Sequence, residues 1–464
     1  MKLATRNLTV CPALLLLAIF NSALGYGQAK SYAISGTIVT PAGVIDDGVI
    51  LVANGTIQSL GTAASIPAGT TVVKVDGVVF PGLIDLHDHL VWNVFPRWKL
   101  PSPVGNRYDW QAMPEYAARL SGPEGTLIAN GAGCDMERYA EIKAMVGGAT
   151  SVVGSYSTTD IDPHRNDCDR GLARNLDFVS GLYSTHMNEE PLRYEVFPFE
   201  ILWTQAQSIR EALGSRQMRS LLIHVAEGKD ASAGREFRML KARGFLRPGV
   251  SVIHGVALRD TELRELAANG VGLIWSPRSN FELYGQTANV KAAKEAGVTI
   301  AIAPDWSPTG SSGLLEELRY AYRWNSRQTP KIFEDSEFVQ MATANPARLA
   351  GISDKVGMLA PRMNADFIVL PRAKGQSPLL ALLEAQPGRV KLVVIGGRPI
   401  LGDPELMRKL TPRQQFDSLT VCGEQKAMDM ADETGGESWK EIESHIATEL
   451  QAFHISLAPL AECD

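Results

Sequence analysis

From Ser31 to Val79 the apolar positions come in short runs, AISGTIVTPAG, GVILVANGTIQSLG and TTVVKVDG, rich in Val, Ile and Thr and broken by Gly, Asn and Pro. That pattern predicts short strands joined by turns. A second stretch of the same kind covers Asn364–Leu370 and Lys391–Arg398. Residues 26–80 and 353–402 are therefore expected to build one small β-sandwich from two flanks of the chain. Between them, in residues 81–352, strand-like apolar runs alternate with helical ones, which is the signature of βαβ units and a parallel sheet. The clear runs are Leu83–His87, Thr150–Gly154, Leu221–Val225, Val250–His254, Val271–Trp275 and Val298–Ala303, with helices at Thr261–Ala268, Asn289–Ala296 and Leu314–Trp324. The fold class this predicts is α/β, a (β/α)8 TIM-type barrel. Two strands are still needed to close it and must fall in residues 156–219, with Phe178–Tyr183 as one candidate.

The two ends read differently. Residues 403–464 turn polar at Asp403-Pro404 and carry a helix over Ser438–Phe453, opened by Ser438 and Glu441 at capping-box spacing, so a C-terminal extension is expected. At the start, Lys2 and Arg6 precede an apolar stretch from Val10 to Phe20, followed by small residues at Ala23 and Gly25 that suit a signal-peptidase cut before Tyr26. The stretch contains Pro12 and is shorter than the roughly 20 residues that span a bilayer. Residues 1–25 are thus expected to export the protein, to the periplasm or beyond the cell, and to leave no membrane attachment after cleavage.

Composition narrows the class. A chain of 464 residues with 45% hydrophobic and 21% charged positions is suited to a substantial core and is neither a disordered tail nor a fibre. The formal charge is −6, becoming −8 without Lys2 and Arg6, and no basic block occurs. Nucleic acid is therefore not the expected partner and a small molecule is; a homo-oligomer stays open. Loss of Cys11 leaves four cysteines, an even number as disulfides require in an oxidising compartment. Proximity in sequence favours Cys134 with Cys168 and Cys422 with Cys463, with four free thiols as the alternative.

Candidate chemistry lies at strand ends. In Pro81-Gly-Leu-Ile-Asp-Leu-His-Asp-His89, strand alternation puts His87 and His89 on one face with Asp85 one layer deeper, where it could support them, and Asp88 on the other face. A lone His-x-His is weak, but His224 and His254 also close predicted strands and Asp305 follows another. Barrel strand ends on that face are where catalytic groups collect.

Together, FPGLIDLHDH at 80–89, His224-Val-Ala-Glu227, VIHGVAL at 252–258, WSPRSN at 275–280 and Asp305 resemble the amidohydrolase superfamily of metal-dependent hydrolases over residues 31–402. The form is similar to its mononuclear deaminase and chlorohydrolase branch. The resemblance implies that His87, His89, His224 and Asp305 hold one divalent metal ion, zinc or alternatively iron(II), and that His254, Glu227 and Asp305 serve catalysis. It also implies substrate contacts at His186 and Asn280, although an ordinary loop histidine remains open for His186. Binuclear relatives bridge two metals with a carboxylated lysine on the fourth strand, and no Lys occurs between Ser155 and Gly228.

Three imidazoles and a carboxylate suit zinc or iron(II), leave an open position and bring the pKa of bound water towards neutrality. Asp305 and His254 would take the proton as hydroxide attacks an sp2 carbon, and Glu227, its pKa raised by enclosure, would protonate a ring nitrogen or leaving group. A surface acid is the alternative for Glu227. Trp92, Phe95, Trp98, Tyr108 and Trp110 follow the first strand directly. With Trp306 they form either a stacking wall at the substrate site or the packing of a loop onto the barrel. The expected reaction is hydrolysis of a non-peptide C–N bond, by deamination or cyclic amide opening, in a small cyclic or heteroaromatic compound. A dipeptidase-like or lactone-opening hydrolase and a catalytically silent binding protein are the alternatives.

Overall fold

A computed structural model describes residues 31–62, 64–155, 172–177, 192–195, 201–411, 415–430 and 436–463. The leader, Cys168, His186 and the candidate strand Phe178–Tyr183 lie outside the described residues.

The N-terminal flank forms β1 (Tyr32–Thr40), β2 (Gly43–Ala53), β3 (Thr56–Gly61) and β4 (Thr71–Pro81). The strands of the parallel unit are β5 (Leu83–Ile84), β6 (Ala149–Val152), β7 (Arg174–Asn175), β8 (Leu192–Glu195), β9 (Ser220–Val225), β10 (Val250–His254), β11 (Gly272–Trp275) and β12 (Ile300–Ile302). After them come β13 (Phe367–Leu370), β14 (Leu392–Ile395), β15 (Arg398–Gly402), β16 (Asp417–Val421) and β17 (Glu424–Met428).

Both flanks and the C-terminal segment share one mixed nine-stranded sheet in the order β16-β17-β15-β14-β13-β4-β1-β2-β3. The two β pieces do form one layer, as expected, but as a single continuous sheet and with two strands supplied by residues beyond 403. Strand alternation explains how it is held. Val73, Val75 and Val79 of β4 and Phe367 and Val369 of β13 enter the sheet's own core, while Val78, Phe80, Ile368 and Leu370 point into the larger core shared with the parallel unit. A bidentate ion pair between Arg174 on β7 and Asp366 beside β13, 2.9 Å at its closest and nearly buried, adds a polar bolt across the same junction.

The parallel unit is α/β. Its strands form a three-stranded sheet, β5-β6-β7, and a five-stranded one, β12-β11-β10-β9-β8. The bridge Asp88↔Asp305 joins them on one side; among the described residues no ladder joins β7 to β8, so the expected closed barrel is met as two parallel arcs. The strands missing from the sequence pattern are Arg174–Asn175 and Leu192–Glu195, the first too short to carry a periodic signal. The first strand ends at Ile84 instead of His87 because the Asp85 carboxylate accepts the His87 N–H (3.0 Å), which takes that amide off the ladder. Gly154, at φ +90°, lies so close to the Asp88 carbonyl that a Cβ there would overlap it.

The helix expected near the C-terminus spans Trp439–Gln451, capped by Ser438 and Glu441, and Trp439 stacks on Tyr139 at 5.5 Å. Cys422, in the turn between β16 and β17, is bonded to Cys463, and Cys134 is also in a disulfide. Among the described residues no helix is long and apolar enough to cross a membrane. Because removing one partner of a buried pair strands the other charge, Asp366→Ala is expected to lower unfolding free energy by about 3–5 kcal/mol in denaturant titration.

Candidate active site

Five strand ends converge on one site. His87 and His89 follow β5, His224 lies on β9 with Glu227 just beyond, His254 ends β10, Ser276 follows β11 and Asp305 follows β12. The register shows how the imidazoles are aimed. Ser251 and Ile253 of β10 pair with Leu222 and His224 of β9 and share their inward face, so alternation alone would turn His254 outward. Its φ of 67° breaks the alternation and brings its ring to 4.7 Å from that of His87. Ala226 (φ 59°) and Asp305 (φ 73°) adopt the same left-handed conformation, which costs a non-glycine residue free energy and clusters at functional sites.

The expected ligands come together. His87 Nε2 lies 3.1 Å from His224 Nε2 and 3.2 Å from Asp305 Oδ1, and His89 Nε2 lies 3.5 Å from the same oxygen. An ion held tetrahedrally at zinc–nitrogen distances sets its donors about 3.3 Å apart, so the spacing fits such an ion without rearrangement. The donors of His87, His89 and His224 all lie within 4.8 Å of one another, as do those of His87, His254 and Asp305. Burial holds His87 and His224 well below the usual histidine range, with neighbouring imidazoles adding to the effect. His89 is lowered by burial too, and burial raises the Asp305 carboxyl. Neutral imidazole is the ligating form.

His87 and Asp305 are held from behind. Ser276 Oγ contacts His87 Nδ1 at 2.7 Å, which turns Nε2 towards the other donors, and the Tyr194 hydroxyl lies 3.3 Å from His89 Nε2, on the donor side of that ring. Ser279 donates to Asp305 Oδ2 at 2.5 Å, leaving Oδ1 to face the imidazoles. Asp85 does not support an imidazole; it holds the His87 backbone instead. Asp88 does face away, where Asn93 donates to it (2.7 Å) and burial pushes its carboxyl up to about 8.

Glu227 is buried, not a surface acid. Its Oε1 accepts from the Tyr284 hydroxyl (2.6 Å) and its Oε2 lies 3.5 Å from Arg107 Nη1 and 3.7 Å from His254 Nε2. Arg107 is itself fully buried and paired with Glu236 at 2.8 Å. Asn280, expected to touch substrate, sits behind His254, with Oδ1 at 2.9 Å from Nδ1 and the amide donated to Thr287. The cavity, about 200 Å³, is walled opposite the polar cluster by Trp92, Trp110, Tyr116 and Trp306. Trp92 and Tyr116 stack at 5.9 Å, and Trp306 lies 5.6 Å from both Trp92 and Trp110. Phe95 and Trp98 pack into the core beneath, so the aromatic loop is divided between wall and packing.

Several of these residues were not singled out in the sequence. Ser276 and Ser279 stand inside WSPRSN and could have been read as its supporting hydroxyls. Tyr194, Arg107 and Tyr284 carry no local signal, since only the fold brings them to His89 and Glu227.

The amidohydrolase family model matches residues 205–400. A 5-methylthioadenosine/S-adenosylhomocysteine deaminase from Syntrophobacter fumaroxidans is 26% identical over 426 residues, 83% of this chain and 95% of that protein. Among solved structures, a zinc-bound adenosine deaminase from Xanthomonas campestris aligns over 90% of this chain and 98% of its own with TM-score 0.65 at 18% identity. A variant of the atrazine chlorohydrolase TrzN from Arthrobacter aurescens, with zinc and atraton, aligns over 80% and 95% with TM-score 0.65, also at 18%. The chain is thus similar to the amidohydrolase family over residues 205–400, and over most of its length to proteins that include deaminases and a chlorohydrolase.

Proposed function

We propose that this protein is a mononuclear metal-dependent deaminase of a small heteroaromatic amine, exported from the cell. It is a hydrolase of carbon–nitrogen bonds other than peptide bonds. The observation that carries the finer reading is the spacing of four donors, three imidazole nitrogens and one carboxylate oxygen, beside a buried acid in an aromatic-walled cavity. The deaminases among its relatives support the reaction. A disulfide at Cys422–Cys463 agrees with an oxidising compartment.

His87, His89, His224 and Asp305 would hold the ion, which when bound supplies Lewis acidity and a lowered pKa for attacking water. The chain's own groups do the rest. His254 Nε2 and Asp305 Oδ1 face the attack site and take the proton, with Asn280 fixing the first and Ser279 the second. Glu227 protonates a ring nitrogen or the departing amine from Oε2, because Tyr284 occupies Oε1. Trp92, Trp110 and Trp306 stack on the ring and exclude water.

An ammonia-release screen over amino-heterocycles tests this directly. His87→Ala is expected to abolish release and metal retention together, whereas Glu227→Gln keeps the metal and lowers kcat by about 10²–10⁴-fold; turnover surviving either change contradicts the assignment. The lowered imidazoles set the pH behaviour. A depressed pKa keeps the ligating neutral form below the ordinary value of 6.5, so zinc affinity measured against a chelator should stay level from pH 7.5 to about 6 and weaken only beneath it.

A further inference from the structure

Residues 458–463 pack against segments 94–97 and 278–316, which adjoin the site. The Ala458 N–H donates to the Val94 carbonyl (2.9 Å), and the Glu462 N–H donates to Glu316 Oε1 (2.8 Å), whose other oxygen accepts from the Ser312 N–H (3.0 Å). The Glu462 carboxylate is divided between two arginines, with Oε1 3.2 Å from Arg97 Nη1 and Oε2 2.7 Å from Arg278 Nη2.

Each arginine is one step from a group already placed in the site. Arg97 donates to the carbonyls of Gly310 (2.5 Å) and Thr309 (3.3 Å). The Thr309 hydroxyl accepts from the Trp306 indole and meets Ser279 Oγ at 2.9 Å, and Ser279 holds Asp305. Arg278 precedes Ser279 on the helix Pro277–Tyr284, which also carries Asn280 behind His254.

An ion pair whose side chains are 34% and 33% exposed is weak on its own, and chain ends are poorly ordered unless tied down. The next residue supplies the tie, since Cys463 is bonded to Cys422 in a turn of the nine-stranded sheet, 41 residues away in sequence. We propose that Glu462, anchored by the Cys422–Cys463 disulfide, is a positioning residue for the active site. It fixes the loops bearing Trp92 and Trp306 and, through Thr309 and Ser279, the orientation of Asp305. The proposal deepens the hydrolase reading and rests on it for its catalytic meaning.

Hydrogen exchange on the full-length protein tests it without a substrate. In Glu462→Gln, and in Cys422→Ser/Cys463→Ser, amides of residues 92–98 and 306–313 should exchange about threefold faster or more, those of β9 and β10 should be unchanged, and Glu462→Asp should recover part of the protection. Unchanged exchange in both loops overturns the proposal. So does an equal rise throughout the chain including β9 and β10, which assigns the tail to general stability alone. A failed ammonia screen with local loosening in these variants would remove the deaminase reading and leave the positioning result standing.

Discussion

Two backbone hydrogen bonds decide where the chemistry sits. The His89 N–H donates to the Asp305 carbonyl (3.1 Å) and the Asp305 N–H to the His87 carbonyl (3.0 Å), stitching the end of the first parallel strand to the end of the last. Residues distant in sequence thereby present two imidazoles and a carboxylate to one point, and β9 contributes the third imidazole from across the arc. Without that seam the His-x-His pair would be an ordinary polar strand end. With it, the donor separations match what a tetrahedral ion imposes.

Around this point the chain is arranged at the expense of local backbone comfort. Ala226, His254 and Asp305 are held in a left-handed conformation that costs about 1–3 kcal/mol for each non-glycine residue. The surrounding packing and side-chain bonds offset it: Glu236 accepts the Ala226 N–H (2.8 Å), Asn280 holds His254 and Ser279 holds Asp305. The result is a division of labour, in which imidazoles and carboxylates face the cavity and hydroxyls, amides and Arg107 fix their orientation from behind. The tryptophan and tyrosine wall closes the other side and gives the polar groups a water-poor setting in which their charges act strongly.

Much of this was legible in the sequence because it rests on local signals. Strand periodicity marked β9 to β12 within a residue or two, the capping box marked Ser438, and His87, His89, His224, Glu227, His254 and Asp305 stand in short motifs at strand ends. What was hidden depends on tertiary context. The strand Arg174–Asn175 has no period to read. The nine-stranded sheet borrows β16 and β17 from a polar segment that reads as an extension, because five-residue strands such as Asp417–Val421 and Glu424–Met428, rich in polar residues, carry too short an apolar pattern to stand out. Asn280 was legible as a motif residue, but its placement behind His254 follows from the left-handed turn at His254, which no sequence pattern announces.

The central claim is a single ion held by three imidazole nitrogens and one carboxylate oxygen, and its most direct test is X-ray absorption at the metal edge of the isolated protein. The account predicts a first shell of nitrogen and oxygen donors at about 2.0–2.2 Å with multiple-scattering features of about three imidazoles and no metal neighbour. A second metal at about 3.5–4 Å, or a shell containing sulfur, would contradict it.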